Sequence, residues 1–320
     1  MNSTTPRILI IGYTGDGKST AAAALAERYE CEYANSSDIL VESFFKVHAN
    51  KGDDPKTAIM EIGRNKGVYR EQLFRFGNLC KKEISLSWLS DEALKRAPIV
   101  TGLRTQDELA ASAWAYDLIL WVGTPDGKPG TTDKLTPANA NASVIVERGD
   151  IAGLCEQVIE VAERELAKPV AYIIGRYRHY MPGTKPEAEN YDWATMQCER
   201  IDEAKYAALF ESWGYRVFAP ISTHRPLDNV MTGDEILGFC LKRVNRFRPS
   251  DCIVIRDGWK DVDGLPDSVG AEAEINAADA IGTRSVGTHL GIDAMKLWTA
   301  ENYPELGLVV DAVMADGGEV

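Results

Sequence analysis

The chain has few of the features that mark secreted, membrane-spanning or nucleic-acid-binding proteins. Its six cysteines are scattered over 320 residues and form no C-x-x-C pair, so we expect reduced thiols and neither a disulfide framework nor a zinc site. No apolar run reaches the roughly 18 residues of a membrane span, and the first residues, MNSTTPR, lack the apolar stretch of a signal peptide, which predicts a cytoplasmic protein with no membrane partner. Basic residues are scarce: 35 lysines and arginines face 48 aspartates and glutamates, and the net charge of −13 argues against a general nucleic-acid partner.

The remaining composition is that of an ordinary globular protein, arranged as two successive α/β series. At 320 residues, with 45% hydrophobic residues, the chain is long enough for two domains of about 150 residues each. Short apolar strands alternate with helices in both halves, and this alternation predicts parallel sheets covered by helices. Strands are predicted at 7–11, 99–101, 118–122 and 143–146, then at 169–174, 215–219, 252–256 and 284–286. The helix predicted at 151–167 ends at Lys168-Pro169, so we place one domain at residues 1–167 and the other at 168–320.

The other predicted helices and one long loop complete this outline. Helices are predicted at 19–29, 38–46, 69–87 and 105–114 in the first half, and at 193–213, 234–247, 269–280 and 293–303 in the second. Residues 123–141 read GTPDGKPGTTDKLTPANAN, a composition rich in Gly, Pro, Thr and Asn that predicts a long loop. Loops of this length inside a compact domain are usually lids or disordered segments.

The most informative segment is RILIIGYTGDGKST at residues 7–20. An apolar strand is followed by Gly-x4-Gly-Lys-Ser and then by an alanine-rich helix, which is the context that a phosphate-binding P-loop requires. The glycines let the backbone turn tightly and direct N–H groups at phosphate oxygens, and the helix start adds partial positive charge. In such a site Lys18 is a catalytic candidate that reaches the β- and γ-phosphates, and the Ser19 hydroxyl ligates Mg²⁺, so ATP and Mg²⁺ are the expected cofactors. The predicted nucleotide-binding residues are Gly12, Gly15, Asp16, Gly17, Lys18, Ser19 and Thr20.

Two further segments narrow the reaction. REQL at 70–73 followed by FGN at 76–78, and TGLR at 101–104 with Glu108 downstream, resemble segments of the phage-type deoxynucleoside monophosphate kinases over about residues 7–167. The resemblance implies a P-loop kinase domain that transfers the γ-phosphoryl group of ATP to a nucleoside monophosphate. It also implies an enzyme of the type that phages encode, which would act in the cytoplasm of the host.

Three residues of this half are candidates for holding the acceptor nucleotide. Arg70 and Arg104 carry guanidinium forks suited to bidentate contact with phosphate, although a helical arginine such as Arg70 is as often simply solvated. Arg104 ends a buried strand at the carboxyl edge of the sheet, where ligands of open α/β sheets bind. Asp38 either holds the acceptor or a metal-bound water, or it caps the helix that follows it.

The chain departs from the kinase pattern at two points. Gly102 stands where the family strand carries an aspartate, so a carboxylate that would organise magnesium is missing. The loop at 123–141 contains Lys128 and Lys134 but no arginine, whereas kinase lids often supply arginines that offset charge on the transferring phosphoryl group. The domain therefore either binds nucleotide with slow turnover or takes an aspartate from elsewhere.

The second half has its own set of candidate residues. YIIG at 172–175, Asp251 at the head of a strand and SVGAEAE at 268–274 resemble the nucleoside 2-deoxyribosyltransferase superfamily over about residues 170–285. This superfamily includes the deoxynucleoside 5′-monophosphate N-glycosidases. The resemblance implies a Rossmann-like parallel α/β domain that cleaves or exchanges the N-glycosidic bond of a deoxynucleoside monophosphate.

The chemistry of that bond requires a carboxylate. Cleavage passes through an oxocarbenium-like state, which a carboxylate below the anomeric carbon stabilises or attacks. Glu274 matches the family nucleophile, although a carboxylate near a helix start is favoured by the helix dipole alone. The resemblance gives Tyr172 the role of orienting Glu274, and it gives Asp251 a contact with the sugar or base or the donation of a proton. The alternative is that Tyr172 is a core residue and Asp251 a turn residue.

A phosphate group of the substrate would need a separate subsite. Ser268 matches the position that binds the 5′-phosphate in the monophosphate-specific branch, and with Gly270 it offers a hydroxyl and N–H groups at a helix start. Gly175, Arg176 and Arg178 follow a sheet strand directly and would complete this subsite, unless the two arginines belong to a solvated loop.

The two halves together predict a bifunctional nucleotide-metabolism enzyme whose partners are ATP and deoxynucleoside monophosphates. Because related glycosidases form dimers or larger assemblies, we also expect a homo-oligomer. Two alternatives stay open. The P-loop domain is a nucleotide sensor that regulates the glycosidase, or the second domain is a non-catalytic nucleotide-binding module.

Overall fold

The computed structural model describes residues 5–48, 55–130, 134–175, 192–227, 231, 233–257 and 268–308. The chain divides into two compact units between Ala167 and Lys168. Each unit is a mixed α/β structure built around its own parallel sheet. The α/β class predicted from the alternation of strands and helices is therefore confirmed for both halves.

The first unit contains five strands and the helices that connect them. The strands are β1 (Ile8–Ile11), β2 (Tyr33–Asn35), β3 (Ile99–Thr101), β4 (Leu118–Gly123) and β5 (Ala142–Ile145). The helices are α1 (Lys18–Arg28), α2 (Ser36–His48), α3 (Pro55–Arg64), α4 (Lys66–Glu83), α5 (Trp88–Leu94), α6 (Gln106–Ser112) and α7 (Ile151–Ala167). The sheet order is β2-β3-β1-β4-β5, and all neighbouring strands are parallel.

The strand sequences explain the position of this sheet in the core. β1 and β4 are continuous apolar runs, and every residue of both is buried, as parallel strands covered by helices on both faces must be. The alanines of α1 let that helix approach β1 closely, and α7 packs beside it in the same apolar core. Because β1 and β3 pair in parallel, with Ile10 opposite Thr101, the turn after β1 and residues 102–104 meet at the same edge.

The helical region between β2 and β3 differs from the prediction. The helix predicted at 69–87 corresponds to α4 alone, which ends at Glu83, and neither α3 nor α5 was predicted. The break between α4 and α5 falls at a serine-rich segment, where Ser87 donates a hydrogen bond from its hydroxyl to Asp91 at 2.7 Å. Serine side chains compete with the helical backbone for hydrogen bonds and therefore favour helix ends.

The second unit repeats the architecture on a smaller scale. Its strands are β6 (Val170–Ile174), β7 (Arg216–Phe218), β8 (Cys252–Ile255) and β9 (Arg284–Gly287), in the order β7-β6-β8-β9 with parallel neighbours. Its helices are α8 (Trp193–Ser212), α9 (Pro220–His224), α10 (Gly233–Val244), α11 (Val269–Ala280) and α12 (Ile292–Asn302). Of these, only α9 was not predicted. In the described parts of both units, no helix combines the length and the apolar composition that crossing a membrane requires.

Candidate functional site

The turn between β1 and α1 has a backbone that only glycine accommodates at its first position. Gly12 has a φ of 152°, and a Cβ there would lie 2.0 Å from the carbonyl oxygen of Val122 on the neighbouring strand β4. Gly15 and Gly17 also have positive φ. The chain therefore turns tightly after a buried strand and starts α1 at Lys18, which is the arrangement that directs backbone N–H groups into one concave site.

Lys18 and Ser19 lie at a small cavity formed by this turn. The Lys18 ammonium donates hydrogen bonds to the carbonyl oxygens of Gly12, at 2.9 Å, and Tyr13, at 2.5 Å. It therefore curls over the turn, and together with Ser19 it lines a cavity of about 130 Å³. Gly12 and Gly15 line the same cavity, whereas Thr20 follows it on α1, where it is partly buried. Four of the seven predicted P-loop residues thus line one small cavity.

Asp16 has a different environment from the rest of the turn. Its carboxyl group is buried, and Oδ1 accepts a hydrogen bond from the Thr124 hydroxyl at 3.4 Å. The Arg148 guanidinium lies 3.5 Å from the same oxygen and 3.5 Å from the carbonyl oxygen of Gly15. Asp16 thereby ties the turn to the segment after β4, so the side chain predicted to bind nucleotide faces the protein instead.

Arg148 is a residue that sequence reasoning missed. The loop at 123–141 contains no arginine, but Arg148 follows β5 and reaches the turn from there, with its side chain about half exposed. It also lies 3.6 Å from Asp126, and a hydrogen bond from Thr124, together with this guanidinium, lowers the pKa of the Asp126 carboxyl group. An arginine therefore stands beside the P-loop even though the predicted lid contains none.

A second, larger cavity opens beside the first. It measures about 440 Å³, and its lining includes α4, the start of α5 and the segment after β3. Four residues line both cavities: Thr14, Ser37, Gly102 and Arg104. The two spaces are therefore neighbours with a common wall, and Arg104 stands in that wall, as its predicted position at the carboxyl edge requires. Arg70 lies on α4, but its side chain is outside the described part of the structure.

Gly102 and Asp38 are both explained by local backbone structure. Gly102 has a φ of 103°, and a Cβ there would lie 2.5 Å from the Ser36 hydroxyl, so the aspartate of the family pattern cannot occupy this backbone without a rearrangement. The start of α2 is capped by Asn35, whose Oδ1 accepts hydrogen bonds from the backbone N–H and the hydroxyl of Ser37. Asp38 is exposed in the first turn of α2, so it is not the cap, and it lines neither cavity.

The small cavity offers ligands of the kind that magnesium prefers. Mg²⁺ takes oxygen ligands and keeps several waters. The described lining contains the hydroxyls of Ser19, Ser37 and Thr101 and the amide of Asn35, with no carboxylate among them. This set fits an ion that is held mainly by nucleotide phosphate oxygens and water, with the Ser19 hydroxyl as the protein ligand.

The second unit contains a buried carboxyl group, Glu274, in the first half of α11. Its side chain lies beside Tyr172 at the centre of β6 and Cys240 on α10. Burial raises the pKa of Glu274 to about 8, and the nearby Glu203 acts in the same direction, while the neighbouring side chains of Cys240 and Tyr172 act against it. The structure therefore brings Glu274 and Tyr172 together, as the sequence predicts, and adds Cys240 to the group.

Tyr172 and Glu203 are held firmly in this cluster. Tyr172 is fully buried and stacks on Phe218 with ring centroids 5.4 Å apart, and burial raises its pKa well above the usual value. Glu203 on α8 accepts backbone hydrogen bonds from Ile221 and Ser222 at the start of α9, at 2.9 and 2.7 Å. Burial also raises the pKa of Glu203, so two carboxyl groups with raised pKa values lie near one another.

Asp251 does not join this group, which corrects the predicted role. It precedes β8 and therefore lies at the amino end of that strand, where Oδ1 accepts a hydrogen bond from the Val170 N–H at 2.9 Å. The backbone and guanidinium of Arg248 donate to both carboxyl oxygens of Asp251. Its carboxylate is thus occupied in joining the starts of β6 and β8, whereas ligands of parallel sheets bind at the carboxyl ends.

The predicted phosphate subsite is described only in part. Arg176 and Arg178 lie outside the described residues. Ser268 is the N-cap of α11, and its hydroxyl oxygen accepts a hydrogen bond from the N–H of Ala271 at 3.2 Å. Gly270 has room for a Cβ, so no close approach explains that glycine. Gly175 lies against the guanidinium of Arg256, a buried residue that pairs with Glu199 and, at 3.0 Å, with Asp202.

Another carboxylate lies at the opposite end of β8 from Asp251, the carboxyl end, where ligands of parallel sheets bind. Asp257 follows β8 at its carboxyl end, and its backbone N–H donates to the Thr288 hydroxyl at 3.0 Å. Its exposed carboxylate is 3.8 Å from Nδ1 of His289, beyond the end of β9. The available signal in the sequence was position alone, because Asp257 comes just after the apolar strand.

No protein-family model matches the chain, and a search of curated proteins finds no match.

Proposed function

We propose that the first unit transfers the γ-phosphoryl group of ATP to a nucleoside monophosphate. One observation carries this proposal: a cavity large enough for a nucleotide, about 440 Å³, shares a wall with the phosphate-sized cavity of the P-loop. An NTPase that uses water as the acceptor has no need of a second recess of this size. Arg104 stands in the shared wall, where it would contact the phosphate of the acceptor.

The chain's own residues would act by binding and by offsetting charge. An oxygen of the acceptor phosphate attacks the γ-phosphorus, the bond to the β-phosphate oxygen breaks, and ADP leaves. Lys18 would exchange its hydrogen bonds to Gly12 and Tyr13 for phosphate oxygens, while Arg104 and Arg148 approach from two other sides. Bound Mg²⁺ supplies further neutralisation of phosphate charge.

Incubation with ATP, Mg²⁺ and each common nucleoside monophosphate tests this function. We expect NDP and ADP in equal amounts for at least one acceptor, and a loss of about 100-fold or more in kcat/KM in Lys18→Met. Lys95→Met, an exposed lysine on a helix end of the same unit, is the matched control and should keep full activity. ATP binding without any NDP would instead favour the sensor alternative.

For the second unit we propose cleavage of the N-glycosidic bond of a deoxynucleoside monophosphate, with Glu274 as the nucleophile. A specific observation favours this candidate: a nearly buried carboxyl group lies beside Tyr172 and Cys240 and has no ion pair within the described part of the chain. The Glu274 carboxylate would attack C1′, the C1′–N bond would break, and the base would leave with the bonding electrons and take up a proton. Water would then attack C1′ and release the sugar phosphate; a second base in its place would give transfer.

The raised pKa of Glu274 predicts the pH dependence of this reaction. A nucleophilic carboxylate must be ionised, and a pKa of about 8 leaves most of the group protonated at neutral pH. The rate of base release should therefore increase about tenfold between pH 7 and pH 9.

Chromatography of the free base, with each deoxynucleoside monophosphate as substrate, tests the second activity. Glu274→Gln should lower the rate by at least about 100-fold, because the amide cannot attack C1′. Glu272→Gln, two residues earlier on the same helix and less buried, is the matched control. Unchanged base release in Glu274→Gln would point to another nucleophile, and no release from any substrate would favour the non-catalytic alternative.

A further inference from the structure

The larger cavity of the first unit has one wall made by a single face of α4. Phe74, Gly77, Asn78 and Lys81 line the cavity, and their spacing of three and four residues places them along one side of the helix. Trp88 and Leu89, at the start of α5, add an apolar surface. A flat base would have large apolar contacts here, with few polar groups to define its orientation.

Lys81 is the charged donor of this wall, and it is held in place. Its side chain is only 14% exposed, and its ammonium lies 3.2 Å from Oε1 of Glu108 and 3.5 Å from the Thr105 hydroxyl. An ammonium group has three N–H donors. Two of them are directed at these acceptors, which leaves the third for a ligand in the cavity that Lys81 lines.

Glu108 already accepts several hydrogen bonds. Its Oε2 accepts hydrogen bonds from the backbone N–H of Arg104 and from the N–H and hydroxyl of Thr105, at 2.9 to 3.2 Å. With Lys81 on Oε1, four donors contact the carboxylate, three of them at Oε2, so one acceptor site of Oε1 remains. Lys81 lines the cavity, so a ligand at this place meets an ammonium group, which donates hydrogen bonds and cannot accept them.

Lys81 and Arg104 differ in the cavities that they line. Lys81 lines the larger cavity but not the P-loop cavity, whereas Arg104 lines both. With the acceptor phosphate at Arg104, the opposite part of the nucleotide, its base, extends into the larger cavity. Lys81 is therefore placed to contact the base rather than the phosphate.

We infer that the acceptor cavity selects bases with a keto oxygen at O6 or O4, and that Lys81 makes the selecting contact; this inference rests on the proposed kinase function. Guanine presents O6 and N7 as acceptors on one edge, and thymine or uracil presents O4. Adenine and cytosine present an exocyclic amino group at the corresponding position, and the Lys81 ammonium cannot accept a hydrogen bond from it. Asn78 offers both a donor and an acceptor, so its amide adapts to either kind of base.

The test measures kcat/KM for dGMP, dTMP, dAMP and dCMP with ATP and Mg²⁺. We expect the keto substrates to exceed the amino substrates by about 10- to 100-fold in the unaltered chain. Lys81→Met should lower kcat/KM selectively for the keto substrates and bring the keto-to-amino ratio of kcat/KM to within about threefold. Lys81→Arg should retain much of the selectivity. Lys82→Met, the next residue on the helix and 83% exposed, is the matched control and should leave the ratio unchanged.

Two additional measurements separate the possible failures. Lys81→Met with Glu108→Gln removes both charges, so a loss of selectivity in this variant does not come from an unpaired buried carboxylate. Binding of the four nucleotides with a non-hydrolysable ATP analogue, measured by calorimetry in the unaltered chain and in Lys81→Met, reports base selection without turnover.

Each pattern of results then has one meaning. Selective binding of dGMP and dTMP without NDP formation supports base selection and overturns the kinase proposal. Turnover with equal kcat/KM for all four bases, or with a ratio that Lys81→Met leaves unchanged, overturns the base selection and leaves the kinase proposal standing. Neither binding nor turnover overturns both.

Discussion

Replacing Glu274 by glutamine keeps the size of a nearly buried side chain and removes its ionisable carboxyl group. Burial raises the pKa of this group from 4.5 to about 8 in the folded chain. The charged groups and titratable side chains that face it are Glu203 on α8, Tyr172 on β6 and Cys240 on α10, and all three remain in the variant. A comparison of the two proteins therefore isolates the ionisation of one side chain.

The direction of the effect follows from the raised pKa. In the unfolded chain Glu274 ionises near pH 4.5, whereas in the folded chain it keeps its proton until about pH 8. Its contribution to the free energy of unfolding is thus fully present below pH 4.5 and is lost as the pH rises towards 8. The total loss corresponds to about 5 kcal/mol, and about 2–3 kcal/mol of it falls between pH 5 and pH 7. Glu274→Gln has no such loss, so its stability relative to the unaltered protein should increase with pH.

Hydrogen exchange measured by mass spectrometry is the appropriate assay, because both units contain tryptophan and a global fluorescence signal would mix them. Protection of peptides from β6 and α11 is compared between the two proteins at the same pH, so that intrinsic exchange rates cancel. Glu272→Gln should follow the unaltered protein at every pH. Stability curves of Glu274→Gln and the unaltered chain that stay parallel from pH 5 to pH 8 would refute the assignment of a proton to the buried carboxyl group.

Three further substitutions test individual contacts. Asp251→Asn should lower the free energy of unfolding of the second unit by about 2–4 kcal/mol, measured by urea titration, because it weakens the hydrogen bonds of a buried carboxylate that joins two strands. A lower rate of base release per folded molecule would instead support a catalytic role for Asp251. Gly102→Ala should destabilise the first unit by about 1–3 kcal/mol more than Gly149→Ala, because Gly149 has a similar φ but open space around it. Equal melting temperatures of the two variants would contradict the close approach of Gly102 to the Ser36 hydroxyl. Arg148→Ala should raise KM for ATP about tenfold relative to the control Arg164→Ala, which alters an exposed arginine on α7. Equal KM values in the two variants would show that Arg148 does not contact the bound nucleotide.

The sequence was sufficient for those features that depend on local patterns. Apolar runs bounded by polar residues located the strands, and β3 has the predicted bounds of 99–101. The helix at 151–167 was also predicted with its observed bounds. The glycine spacing of the P-loop located the turn, because its strained backbone leaves a signature in residue type.

Features that depend on which segments become neighbours could not be predicted in this way. Arg148 meets the P-loop because β4 lies between β1 and β5 in the sheet, and hydrophobic periodicity does not specify strand order. Chain direction alone places Asp251 before β8 and Asp257 after it, but the contact of the Asp251 carboxylate with the Val170 N–H depends on the pairing of β6 with β8. Cys240 reaches Glu274 from a different helix, and nothing in its own sequence context marks it.

Because the two cavities of the first unit share a wall, one ligand that spans both can report the distance between them. A ligand with a nucleoside at each end of a polyphosphate chain would occupy both recesses, and its second end would bind at an effective concentration set by the length of the linker. Too short a chain of phosphates cannot span the wall, and too long a chain loses the advantage of the tether. The length that binds most tightly would therefore serve as a ruler for the separation of donor and acceptor in solution.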